Sequence, residues 1–240
     1  IIILVGFTVL PGCVFNPTEE TPTPTFTATG TEVPTPTIDW FPATPTPIEQ
    51  TLPSPTPQPT TEDMRVGVTE LLINDDFSDE SLWETLQSPA GNIAFGSNNL
   101  SLAIAKPAAN LISMSQHQLP ENFYLEITYQ TSLCQPQDQI GILFLRQSES
   151  DYYRLLIDCA GRTRLELIQG GRSSVLQNWE TGLHIQPGAP AENRLGLWVF
   201  NGQFQLYIND TFQFARTIVA NQQGGLGVFA KTINDGPLTV

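Results

Sequence analysis

From residue 71 onward the apolar positions fall into short alternating or continuous runs, interrupted by Gly, Asn, Asp or Pro about every ten residues. That texture predicts strands. The predicted strands are residues 92–95, 100–105, 111–115, 123–131, 140–147, 152–159, 163–169, 174–176, 195–200, 203–209, 213–218 and 225–230. No segment carries the periodicity of an amphipathic helix of ordinary length. The expected fold is an all-β sandwich.

Two hairpins are specific enough to predict which residues share a face, and one of them to predict pairing. In "LGLWVFNGQFQLYIND" the Asn201-Gly202 pair suits the two positive-φ positions of a type I′ turn, so Val199 faces Phe204, Leu197 faces Leu206 and Leu195 faces Ile208. Those six residues make one apolar face. The other face presents Trp198 beside Gln205 and Tyr207 beside Gly196; an aromatic there is either a half-buried packing residue or a platform for a sugar ring. The second hairpin, "YYRLLIDCAGRTRLELI", turns at Ala160-Gly161-Arg162. Alternation puts Tyr153, Leu155, Ile157 and Cys159 on one face with Leu165 and Leu167. Arg154, Asp158, Arg164 and Glu166 lie on the other, which reads first as a solvated face with weak cross-strand ion pairs. A polar groove floor is the second reading.

Net charge is -14, from 24 acidic and 10 basic residues. Such a field repels phosphate backbones and anionic lipid headgroups, so nucleic acid and peripheral membrane surfaces are poor partners. Seven of the acids lie in residues 17–63, which hold no Lys or Arg, so the remainder is only moderately acidic.

Ahead of the strands the texture is different. Residues 14–64 repeat Thr-Pro units such as "TPTPT" and "SPTPQPT", which bury little and lack an amide donor at every proline. They are expected to form a disordered, extended linker reaching on the order of 100 Å. Trp40 and Phe41 within it read as incidental. Residues 1–10 are apolar over the length of a signal-peptide core, without an initiator Met or a basic start. The sequence is therefore expected to begin inside its own export signal. Leu10-Pro11-Gly12-Cys13 resembles the lipobox of bacterial lipoproteins, with Pro11 as a departure, and the resemblance implies that Cys13 becomes the lipidated first residue. The alternative is the last part of a membrane-spanning helix, with Cys13 incidental. Both readings place the rest of the chain outside the cytoplasm. Domain boundaries follow as 1–13 for the signal segment, 14–64 for the linker and 65–240 for the sandwich.

In an exported protein Cys134 and Cys159 are expected to form a disulfide. They end runs two strands apart in an up-and-down order, about 9.6 Å from each other, and the loop 135–139 is long enough to close that gap.

The stretches "NDDFSDESLWET", "NNLSLAIAKP", "FYLEITYQ", "IGILFLRQSESDYYRLLID", "LQNWETGLHIQPGAPAENRLGLWVFNGQFQLYIND" and "GGLGVFAK" resemble the concanavalin A-like jelly rolls of bacterial surface proteins. The likeness is to the laminin G-like group and to the domain shared with 3-keto-disaccharide hydrolases and family 16 glucanases, over residues 71–240. It implies two antiparallel sheets, one concave, and a last strand pairing near the first, which is expected to be incomplete at Val240. The Glu-x-Asp-x-x-Glu strand of the glucanases has no counterpart here: Glu126 and Glu166 have no carboxylate two residues away. His117 and His184 lie in loop-like stretches without a zinc pattern, and no nucleophile elbow, phosphate loop or dinucleotide fingerprint occurs. Some jelly rolls of this type bind calcium between their first and last strands. Asp75, Asp76 and Asp79 are the matching donors, although three carboxylates fall short of the usual six or more oxygens and also fit turn capping.

The expected function is non-catalytic binding of glycans or polysaccharides at the cell surface, with no required cofactor. Trp198, Tyr207 and Gln205 are the candidate contacts, with Arg154 and Glu166 as polar partners if the concave face is used. A receptor or kinase ectodomain, or an adhesive domain binding other envelope proteins, are the alternatives. A glycoside hydrolase is the weakest.

Overall fold

A computed structural model describes residues 67–68 and 70–240. Cys13, the Thr-Pro tract, Trp40 and Phe41 lie outside the described residues. After a short 3₁₀ helix at Glu80–Leu82, capped by the Asp79 carboxylate, the chain runs through fourteen strands. These are β1 (Leu86–Ser88), β2 (Gly91–Phe95), β3 (Leu100–Ile104), β4 (Asn110–Leu119), β5 (Phe123–Thr131), β6 (Gln139–Ser148) and β7 (Asp151–Asp158), followed by β8 (Arg162–Gln169), β9 (Arg172–Thr181), β10 (Ala191–Phe200), β11 (Gln203–Ile208), β12 (Thr211–Thr217), β13 (Gly224–Lys231) and β14 (Leu238–Thr239).

They form a six-stranded sheet in the order β4-β13-β6-β7-β8-β9 and two four-stranded sheets, β12-β11-β10-β5 and β1-β2-β3-β14. Neighbouring strands are antiparallel throughout. Inward residues of all three sheets share one core. Phe144 of β6 stacks on Tyr153 of β7 at 5.4 Å and on Phe204 of β11 at 5.5 Å, so the six-stranded sheet packs directly on the sheet opposite.

Both predicted hairpins are present, the first in the predicted register and the second with the predicted faces. Val199 faces Phe204, Leu197 faces Leu206 and Leu195 faces Ile208, with Asn201 and Gly202 at φ 48° and 73°. Tyr153 faces Leu167 and Leu155 faces Leu165 across β7 and β8. Local turn chemistry was sufficient to set the register of the first.

Elsewhere the structure corrects the expectation. β9 runs on to Thr181 rather than ending at residue 176, because two register shifts against β8 break the two-residue alternation that would have revealed it. β4 continues through the polar edge residues Gln116, His117 and Gln118, so His117 stands on a strand rather than in a loop. β5 does not join the sheet of β6 and β7: it pairs with β10 in the opposite layer. Cys134 and Cys159 are nevertheless joined, with their Cα atoms 6.2 Å apart, because the loop after β5 crosses between layers. That loop is held by hydrogen bonds from Cys159 N to Asp138 O and from Ala160 N to Pro136 O, each 3.0 Å.

Candidate functional site

On the outer face of the six-stranded sheet, cross-strand pairing sets Arg154 opposite Glu166 and Leu156 opposite Arg164. Glu166 accepts from Arg154 on one side, at 2.5 Å from Nη2, and pairs with Arg164 Nε on the other at 2.7 Å. Its side chain is 6% exposed, while those of Arg154 and Arg164 are 29% and 24% exposed. The expected solvated face is therefore corrected. The carboxylate is buried because the guanidiniums close over it, and an ion pair so shielded is costly to break. Asp158, buried as well, accepts from Arg162 Nε at 2.7 Å.

Beside this row stands Trp179 of β9, half-buried, with the Arg162 and Arg164 guanidinium carbons 5.5 Å and 5.9 Å from its ring centre. Arg154 lies 5.8 Å from the ring of Phe229. Stacking of this kind orients guanidinium groups with part of their donor edge open to solvent. Leu143, Leu156 and Phe229 are buried beneath, with Met114, Tyr152 and Trp179 packed against them. The face can thus offer charge-assisted donors at the arginines, held in place by Glu166, and a ring for stacking. Trp179 escaped the sequence reading because the strand that presents it was cut short at residue 176.

Trp198, Tyr207 and Gln205 lie on the outer face of a different sheet, that of β10 and β11, and are not brought together with Arg154 and Glu166. Nor are the two aromatics open platforms: Trp198 is 8% and Tyr207 3% exposed. Trp198 tilts against Phe200 at 5.7 Å and Tyr207 meets Phe212 edge-on at 5.8 Å. The Tyr207 hydroxyl donates to Gln205 Oε1 at 2.6 Å. Gly196 explains part of the packing. Tyr124 lies so close over it that an added Cβ would come within 2.5 Å of the phenol oxygen.

The three aspartates behave as turn residues. Asp75 accepts from Phe77 N at 2.9 Å and Trp83 Nε1 at 2.7 Å, and its Oδ2 lies 3.3 Å from His117 Nε2. Asp76 accepts from Ser78 N, and Asp79 accepts from Ser81 N and Oγ. Hydrogen bonds from Ser81, hydroxyl first, hold the Asp79 carboxyl below its ordinary range, and those from Ser78 do the same for Asp76. Among the described residues no group of three or more His, Cys, Asp or Glu is arranged to hold a metal.

A larger cleft, about 1420 Å³, lies along the edges of β3 and β5, where Trp198, Tyr124, Leu71, Leu100, Phe123 and Val240 contribute to its walls. Its lining is largely apolar and suits side chains better than sugar hydroxyls.

No protein-family model and no curated protein matches the sequence. Solved structures do resemble it. The carbohydrate-binding module CBM66 from Bacillus subtilis is 13% identical, with 66% of this chain and 90% of that one covered at a TM-score of 0.49. A native glycosidic hydrolase is 8% identical over 67% of this chain and 87% of that one, at 0.50. A structure from work on the endo-acting O-glycanases of human gut microbiota is 8% identical over 71% and 95%, at 0.50. At such identities the likeness is one of architecture. The described domain is a concanavalin A-like, jelly-roll β-sandwich.

Proposed function

We propose that the domain is a non-catalytic module binding glycans or polysaccharides, and that it binds them on the outer face of the six-stranded sheet. One observation carries this reading: the Arg154–Glu166–Arg164 row runs beside Trp179, so polar and stacking groups share one surface. Glu166 and Asp158, the carboxylates beside that row, are each paired with arginine instead of standing as an acid and nucleophile across a cleft. Proteins named for acting on glycosides share the fold, which sets the ligand class to test and assigns no residue.

In the same proposal the domain is displayed outside the cytoplasm, on the Thr-Pro tract, from a lipid on Cys13. The lipobox-like stretch and a disulfide suited to an oxidising compartment support this placement. Metabolic labelling with a fatty acid, lost in Cys13→Ser, is the expected result.

A glycan array probed with the purified protein tests the binding reading. We expect binding that Trp179→Ala abolishes and Gln205→Ala, on the opposite layer, leaves intact. Absence of any glycan bound, or binding indifferent to Trp179→Ala, overturns it; an envelope protein captured instead would point to the adhesive alternative.

A further inference from the structure

At the other end of the same sheet, strands β4, β13 and β6 border a polar cavity of about 570 Å³. Gln116, Gln118, Gln147 and Gln223 line it, together with two opposite charges, Glu84 and Arg146.

The cavity sits where the sheet loses its regularity. β13 shifts register against both neighbours between Gly225 and Gly227, and β6 shifts against β7 between Phe144 and Ser148. Leu145 takes a φ of 51°, a conformation leucine seldom adopts. As a result two consecutive residues, Phe144 and Leu145, both pack into the core, and the next one, Arg146, lines the cavity. Bulges of this kind re-aim side chains at sheet rims. Gln147 stiffens one wall by donating to Gln223 O at 2.8 Å and Leu145 O at 3.3 Å. Arg146 makes no ion pair or side-chain hydrogen bond with another described residue.

The lining selects a chemistry. The amides of Gln116, Gln118 and Gln223 each offer donors and an acceptor in one place, matching a hydroxyl that does both, and Gln147, its donors already engaged, adds an acceptor. Glu84 and Arg146 cancel in charge, so an anion or a cation gains little net attraction. Among the described residues no aromatic ring borders the cavity, so a ligand there is held by its hydroxyl edge without stacking.

We infer that this cavity is a second saccharide subsite, specific for a neutral polyhydroxyl unit, and that the ligand is a chain spanning from it to Trp179. The inference rests on the glycan-binding reading above. Register supports continuity between the two ends. Gly225 pairs with both Gln118 and Arg146, and the next ladder row toward Trp179 runs Gly227, Leu143, Arg154, Glu166. From β13 to β9, the strand of Trp179, is four strand steps, about 19 Å. Met114, Leu143, Leu156 and Phe229 form the apolar part of the floor between, with Arg154 over the Phe229 ring.

Nuclear magnetic resonance of the full chain tests this with D-glucose as probe. We expect glucose to shift the side-chain amides of Gln118 and Gln147 as well as the Trp179 indole, and Arg146→Ala to remove the amide shifts while the indole still responds. Shifts at the indole alone overturn the second subsite and leave the glycan-binding face standing. Shifts at the amides alone support the subsite and overturn the assignment of Trp179; none at either end overturns both. Sodium sulfate serves as the charged control, and amide shifts from sulfate but not from glucose would overturn the neutral class. If Arg146→Ala disturbs the spectrum as a whole, Gln118→Ala takes its place. For the longest oligosaccharide found on the array, Arg146→Ala is expected to lower affinity about tenfold and to leave that of the matching disaccharide unchanged.

Discussion

The outer face of the six-stranded sheet and that of the β5-β10-β11-β12 sheet carry similar residues to opposite ends. Each sets an aromatic among polar neighbours: Trp179 beside Arg162 and Arg164 on the first, Trp198 beside Gln205 on the second. On the first face the ring is half-buried and charged groups surround it. On the second the ring is 8% exposed and its neighbours include Phe200. Alternation along a strand says which residues share a face; it cannot say whether that face is covered. The difference decides which tryptophan we expect to hold a fold and which to hold a ligand.

The sharpest way to break this comparison is to exchange the two losses. Trp198→Ala removes a buried ring and is expected to lower unfolding free energy by about 3–5 kcal/mol, read from denaturant titration. Its glycan binding, where the protein is still folded, should persist. If Trp198→Ala proves nearly neutral in stability, the distinction between the two faces collapses.

Glu166→Ala comes next. It leaves Arg154 and Arg164 sharing a site without their anion, and because both guanidiniums retain water the expected cost is near the lower limit for a broken buried pair, about 3 kcal/mol. Binding should fall with it. A loss below about 0.5 kcal/mol would mean the row behaves as an ordinary surface pair after all.

Acid has the smallest effect. Hydrogen bonds lower the carboxyls of Asp76, Asp79 and Asp151 from an ordinary value of 3.8. A lowered folded-state pKa contributes stability above the unfolded value, and that contribution is lost as pH falls through the folded one. Melting temperature is therefore expected to hold down to about pH 4 and to sag only below it, modestly, since Asp76 and Asp79 are exposed and Asp151 is only half-buried. A sag beginning well above that pH would point to another group.

Much of the fold was legible in the residues. Asn201-Gly202 predicted not only a hairpin but its register, because a two-residue turn leaves one way to pair its flanks. Arg154, Glu166 and Arg164 were placed on one face for the same local reason. Trp179 was missed because bulges in the β8–β9 pair hide a strand that polar residues already disguise. The amide cavity was invisible, since Gln118, Arg146 and Gln223 lie far apart in the chain and meet only through β13.

What the sequence determined by itself was therefore local: strand texture, turn chemistry and the two faces of each hairpin, all set by neighbours a few residues apart. The tertiary structure decided the rest. It sent β5 to the opposite layer from β6, drew Cys134 to Cys159 across layers, closed Trp198 in and left Trp179 half open. Those outcomes depend on which surfaces compete for burial once every strand is present, and no short stretch of chain carries that information.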